Sequence, residues 1–125
     1  MSAETRLMNF HITDSGIFVF EFKALERNSA TTFSKIVRDG NNQFPQQLRI
    51  LYDYSQSDPP TPYFLHISAK LTAQTQFPED TKSAYVIGSM EKEIWVHILQ
   101  RYQPTDHPVR TFMKQEQATR WLLAD

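Results

Sequence analysis

The hydroxyls of Ser55, Ser57 and Thr61 crowd the stretch RILYDYSQSDPPTPYFL, Arg49 to Leu65, where an apolar run enters a Ser/Asp/Pro cluster and leaves into another apolar segment. A phosphate on Ser57 or Thr61 would set nearly two negative charges beside the positive end of a following helix. That is the chemistry of a phosphorylation switch. The same residue types also do ordinary work, because Thr61 before Pro62 reads as a helix cap and loop serines satisfy turn backbone. Both readings stand at this point, with capping the more common use of such residues.

The other chemistry-bearing side chains converge on nothing. His11, His66, His97 and His107 form no His-x-x-x-His or His-Glu-x-x-His pattern, so no metal site is written at close spacing, and His97 sits beside Glu93 and Arg101 on a polar helix face. There is no cysteine, which removes disulfides, thiolate nucleophiles and cysteine-zinc sites. No Gly-x-Ser-x-Gly elbow is present. A Ser68–His66–Asp53 grouping fails because residues two apart on a helix point about 200° away from each other, and Glu91 with Glu93 fails likewise. Three glycines write no phosphate-cradling loop. The reading is therefore no catalytic residue, no metal and no cofactor.

What remains is apolar surface. The segment from Thr61 carries Tyr63, Phe64, Leu65, Ile67 and Leu71, more than one helical stripe needs. Part of it packs in the core; the excess would meet a neighbouring helix, a second subunit, or an apolar ligand held against a sheet, with DPPTP as a gate. The contact residues expected on this reading are Tyr52, Tyr54, Tyr63, Phe64 and Ile67.

These residues need positioning elements. Arg6 to Thr13 alternates with period two, placing Met8, Phe10 and Ile12 on one side; Asp14-Ser15-Gly16 is turn chemistry; and Phe18, Phe20 and Phe22 then align on one face. This predicts an antiparallel hairpin. Asn28 or Ser29 can cap a helix carrying Phe33, Ile36 and Val37, with Gly40 as its stop. Leu48 to Tyr54 is a third strand with both faces partly covered. Thr61-Pro62 starts the second helix, and Lys82 to Gly88 is a fourth strand. Ser89 caps a third helix with Ile94, Trp95, Ile98, Leu99 and Tyr102 on one broad face. Pro104 and Pro108 bound a linker before a fifth strand, Val109 to Met113, and a last helix, Gln115 to Leu123, rests on Ala118, Trp121 and Leu122. The order β-β-α-β-α-β-α-β-α predicts an α/β fold: a mixed, mainly parallel five-stranded sheet with helices packed against it, in a single domain over residues 1–125.

Bulk properties agree with a folded domain. Apolar residues make up 40% and charged residues 22%, so a core is affordable and disorder disfavoured. Thirteen basic and 14 acidic side chains give a net charge of −1 without a basic stripe, which argues against a nucleic-acid partner. No secretory leader and no run of about 18 apolar residues is present, so a cytoplasmic protein without a membrane span is expected. Peripheral membrane contact and homodimerisation stay open.

The runs SAYVIGSMEKEIWVHILQRY and VRTFMKQEQATRWL resemble the SpoIIAA-like family, whose members close with a strand leading to Phe, polar residues, Ala and a final Trp-Leu. Here these are Phe112, Ala118, Trp121 and Leu122. The opening DSGIFVF and the strand LRILYDY are compatible, extending the resemblance over roughly Asn9 to Leu123. It implies a STAS-like fold similar to anti-sigma-factor antagonists, more distantly to CRAL-TRIO lipid-binding domains, and a bacterial origin. The phospho-acceptor signature Asp-Ser-Ser/Thr-Gly after the third strand is missing: counting on from Asp53 arrives at Thr61-Pro62-Tyr63. The function expected is a non-enzymatic module that binds a protein partner or a small apolar, lipid-like ligand through the third-strand loop and the following helix; the alternative is a phosphorylation-regulated signalling protein of the anti-sigma-factor-antagonist type.

Overall fold

The computed structural model describes residues 3–4, 8–25, 27–40, 44–102 and 105–124. Its strands are β1 (Ala3–Glu4), β2 (Met8–Ile12), β3 (Ile17–Phe22), β4 (Gln47–Asp53), β5 (Asp80–Val86) and β6 (Val109–Phe112). The helices are α1 (Arg27–Gly40), α2 (Pro62–Gln74), α3 (Glu93–Tyr102) and α4 (Gln115–Leu123). The five expected strands are all present, and the two-residue β1 adds a sixth at the edge, beyond the expected count; Arg6 and Leu7 of the first expected strand lie outside the described residues.

The hairpin β2–β3 is antiparallel with Phe10 opposite Phe20. Its turn closes where Gly16 takes φ +86°, and the Thr13 hydroxyl accepts from the Ile17 amide at 3.1 Å. From β3 onward every pairing is parallel, and the strands stand in the sheet in chain order. When each crossover steps to the next position in the same direction, right-handed connections put all their helices on one face. Accordingly α1 packs on α2 and α2 on α3, while α4 alone covers the other face, touching β4, β5 and β6.

The pleat divides the side chains between two cores. Met8, Phe20, Phe22, Leu48, Ile50, Tyr54 and Tyr85 face the three helices, and Ile17, Val19, Leu51, Ala84 and Val86 face Ala118 and Leu122 of α4. Burial of a side chain such as Phe22 or Phe64, each 1% exposed, contributes roughly 2 to 3 kcal/mol. Arg49 lies on the α4 face and is itself buried. Its Nε donates to the Leu122 carbonyl at 2.9 Å, Nη1 to the carbonyl of Asp80 at 2.9 Å, and Nη2 to the Asp80 carboxylate at 3.1 Å. A guanidinium thus closes the C-terminal end of α4, where carbonyls lack helical partners and favour positive charge.

Three local expectations change. Helix α1 starts at Arg27, so Asn28 and Ser29 stand in its first turn; Ser29 is buried with Ala30, Phe33 and Val37 on the inward stripe, a position a cap does not occupy. Ser89 precedes a 3-10 turn at Met90–Lys92 and makes no side-chain cap bond. Helix α3 buries Val96 and Leu99, and Ile94, about 200° around the helix from Val96, is left 63% exposed. The side chain of Tyr102 lies outside the described residues.

Candidate functional site

An apolar chamber of about 240 Å³ lies between α1 and the sheet. Its floor is built by the hairpin and β4: Phe10, Phe18 and Phe20 beside Ile50 and Tyr52, which share one face of the pleat. Its roof is the inward stripe of α1, Phe33, Ile36 and Val37, and its end wall is the last turn of α2, from Leu71 to Thr75. Aromatic rings prop the roof off the floor. Phe33 of α1 meets Phe20 edge-on at 5.0 Å between ring centroids, and Phe44, beyond the end of α1, meets Phe18 edge-on at 6.2 Å.

The rim lies at the end of the sheet where the parallel strands begin. Gly40 closes α1 there, Leu48 is the second residue of β4, Thr75 caps α2, and Ile12, at the end of the oppositely running β2, is 54% exposed. Tyr52 is stacked between Phe20 at 5.7 Å and Tyr85 at 5.4 Å. Burial and the neighbouring Tyr85 push its phenol far above the usual tyrosine range, so it stays neutral at any physiological pH.

Of the five contact residues expected from sequence, only Tyr52 lines this space. Tyr54 is 2% exposed and Phe64 1%, both packed against Phe22 in the core. Tyr63 is 38% exposed, its ring under the Arg27 guanidinium at 4.6 Å, and Ile67 is half-buried against the core. Sequence reasoning missed the three hairpin phenylalanines as a site, along with Phe44, Phe77 and the threonines of α2. Period two placed the phenylalanines on one face, but the gap above them follows from helix-to-sheet distance, which no residue pattern spells out.

A second polar cluster sits on the α4 face. The Gln115 side-chain amide donates to Glu21 Oε2 at 2.8 Å and to Asp53 Oδ2 at 2.5 Å, and Asn9 Nδ2 donates to Glu21 Oε1 at 3.0 Å. Two carboxylates beside the first turn of α4 are favourably placed for the helix dipole. Both are held by amides, an arrangement suited to docking α4. Among the described residues no group of three or more His, Asp or Glu side chains could hold a metal ion, and no helix is long and apolar enough to cross a membrane.

No family model and no curated protein matches the chain. Solved structures do. One is an uncharacterized protein of the DUF3478 family with a SpoIIAA-like fold from Shewanella loihica PV-4, similar with a TM-score of 0.68 at 13% identity over 98% of each chain. The chain has a SpoIIAA-like fold. An anti-sigma factor antagonist from Mycobacterium paratuberculosis is similar at a TM-score of 0.59 and 13% identity, over 94% of this chain and 93% of that one.

Within this SpoIIAA-like fold the segment after β4 is tied down. The Ser57 hydroxyl donates to the Asp58 carbonyl at 2.8 Å and the residue is 5% exposed. The Thr61 hydroxyl donates to the Leu25 carbonyl at 3.0 Å and accepts from the Phe64 amide at 3.3 Å, which is the capping role. Lys92 Nζ donates to the carbonyls of Tyr54 at 3.1 Å and Ser55 at 2.6 Å. Gly88, at φ +73°, passes so close that a Cβ there would stand 2.7 Å from that of Ser55. The loop is stitched to the segments that follow β3 and β5 and to the turn before α3, and the chamber opens at the far end of α2.

Proposed function

We propose that this SpoIIAA-like module works by binding, without catalysis, and that it takes an apolar small molecule into the chamber beneath α1. The single observation that carries this reading is a 240 Å³ space walled by aromatic and aliphatic side chains. An engineered cavity of about 150 Å³ with similar walls stays dry and admits benzene, so this one suits a larger hydrophobic body. The carboxylates Glu21 and Asp53 sit on the opposite face of the sheet and are held by Gln115, which supports binding over turnover. Titration with the neutral dye N-phenyl-1-naphthylamine tests it: saturable fluorescence enhancement, reversed by decanol, is expected. Enhancement that never saturates, or that decanol leaves untouched, refutes it.

A second reading is docking of a protein partner. It draws on likeness to a solved anti-sigma factor antagonist and on Met90 and Ile94, which stand four residues apart and are 65% and 63% exposed. On this reading Ile94→Lys abolishes a complex seen in native mass spectra of the cell-derived protein and leaves dye binding intact; a complex that survives the change defeats it.

A further inference from the structure

The chamber has a second space beside it. Thr72, Thr75 and Phe77 belong to its wall and also to the wall of a second space of about 480 Å³, completed by Pro78, Glu79 and residues 105–107. An apolar chamber that shares three wall residues with a polar vestibule is the shape of a site for an amphiphile. The sign of charge in that vestibule then decides which headgroup it takes.

Four observations give the same sign. The vestibule carries two exposed carboxylates, Glu79 and Asp106, and among the described residues no Lys or Arg lines either space. The nearby Arg49 is engaged by Asp80 and by the Leu122 carbonyl on the other face of the sheet. The C-terminal end of α2 closes the vestibule, and its last turn contains no basic residue, so the negative end of the helix dipole is uncompensated there. Thr75 directs its hydroxyl proton to the Leu71 carbonyl at 2.7 Å, which leaves the oxygen free to accept but not to donate.

Among the described residues that line the vestibule, His107 is the side chain whose charge could oppose this. Its Nε2 lies 2.8 Å from the Ser83 hydroxyl, and its ring meets Phe77 edge-on at 5.1 Å. Burial lowers its pKa, against a smaller opposing effect of Asp106, so it is neutral at physiological pH.

We infer that chamber and vestibule together take an amphiphile with an apolar tail and a cationic, ammonium-type head, and that they discriminate against fatty-acid anions. The inference rests on the chamber being a ligand site. Scaling from a cavity of about 150 Å³ that holds the six-carbon benzene ring, the chamber fits a tail of about ten carbons.

Decylammonium, decanol and decanoate, each below its micelle concentration, are the probes, read as displacement of N-phenyl-1-naphthylamine from the full chain. Decylammonium should displace the dye at a concentration about tenfold lower than decanoate, with decanol between them. The double variant Glu79→Gln, Asp106→Asn should shrink that ratio to about threefold or less while decanol displacement stays unchanged; both sites are exposed, so folding is retained. Decanoate binding as tightly as decylammonium overturns the headgroup inference and leaves the chamber reading intact, as does a ratio the double variant does not alter. Failure of all three to displace the dye overturns both.

Discussion

Replacing Val37 with phenylalanine tests whether the space beneath α1 is a void that a ligand fills. Val37 is 9% exposed and lines the chamber from the roof. Phenylalanine brings about four more carbons, worth about 3 kcal/mol if they settle in the void at about 0.8 kcal/mol each. Imperfect fit removes about 1 to 3 kcal/mol. The expected net is a gain of about 1 kcal/mol, a rise in Tm of about 4 °C for a chain of 125 residues, together with loss of N-phenyl-1-naphthylamine binding. Urea denaturation with an unchanged m-value measures the first and dye titration the second. Destabilisation beyond about 2 kcal/mol with dye binding retained would mean that Val37 meets a filled core, and the reasoning from the chamber would fail with it.

Other substitutions probe the frame around the site. Arg49→Met should destabilise by about 2 to 3 kcal/mol in urea titrations, because the carbonyls of Leu122 and Asp80 lose a buried charged donor; a loss under about 0.5 kcal/mol contradicts that role. Ser68 is fully buried and its hydroxyl has no partner, so Ser68→Ala should leave stability unchanged or raise it by up to about 1 kcal/mol, and a clear loss would reveal a missed partner. Gly88→Ala should cost about 2 kcal/mol or more, since both the positive φ and the Ser55 contact oppose a side chain. His107 has a native pKa below its ordinary 6.5, so the unfolded chain binds its proton first as the pH falls. Stability should therefore drop from pH 7 towards pH 5, and His107→Gln should flatten that part of the profile; an unaltered slope would place the titration elsewhere.

Elements with a local chemical signature could be read from the chain. Thr61 before Pro62 caps α2 as its residue types demand, the turn before Ile17 needs Gly16 at positive φ, and Ala118 with Leu122 faces the sheet at helical spacing. Where the outcome depends on a neighbour, sequence spacing was insufficient. Ile94 and Leu99 look equivalent as apolar helix residues, yet they stand about 140° apart around α3, and the core takes the side of Leu99 and leaves Ile94 outside. Tyr54 and Phe64, expected at the contact surface, are buried against Phe22, and the depth of that layer is not encoded in their own spacing. The chamber was legible only as ingredients, three aligned phenylalanines under an amphipathic helix, since the distance between them is set by ring edges meeting in three dimensions.

The chain-order sheet has a consequence for synthesis. Because each new strand from β2 to β6 joins its immediate predecessor, a nascent chain can extend the sheet in the order it emerges, and every crossover clothes the same side as it forms. The opposite side has no such provision. Ile17, Val19, Leu51 and Val86 must stay bare until the nine residues of α4 arrive and Arg49 receives the Leu122 carbonyl. A ribosome paused after β6 would thus display a one-sided sticky sheet, making the interval before α4 the moment when this protein most needs a chaperone.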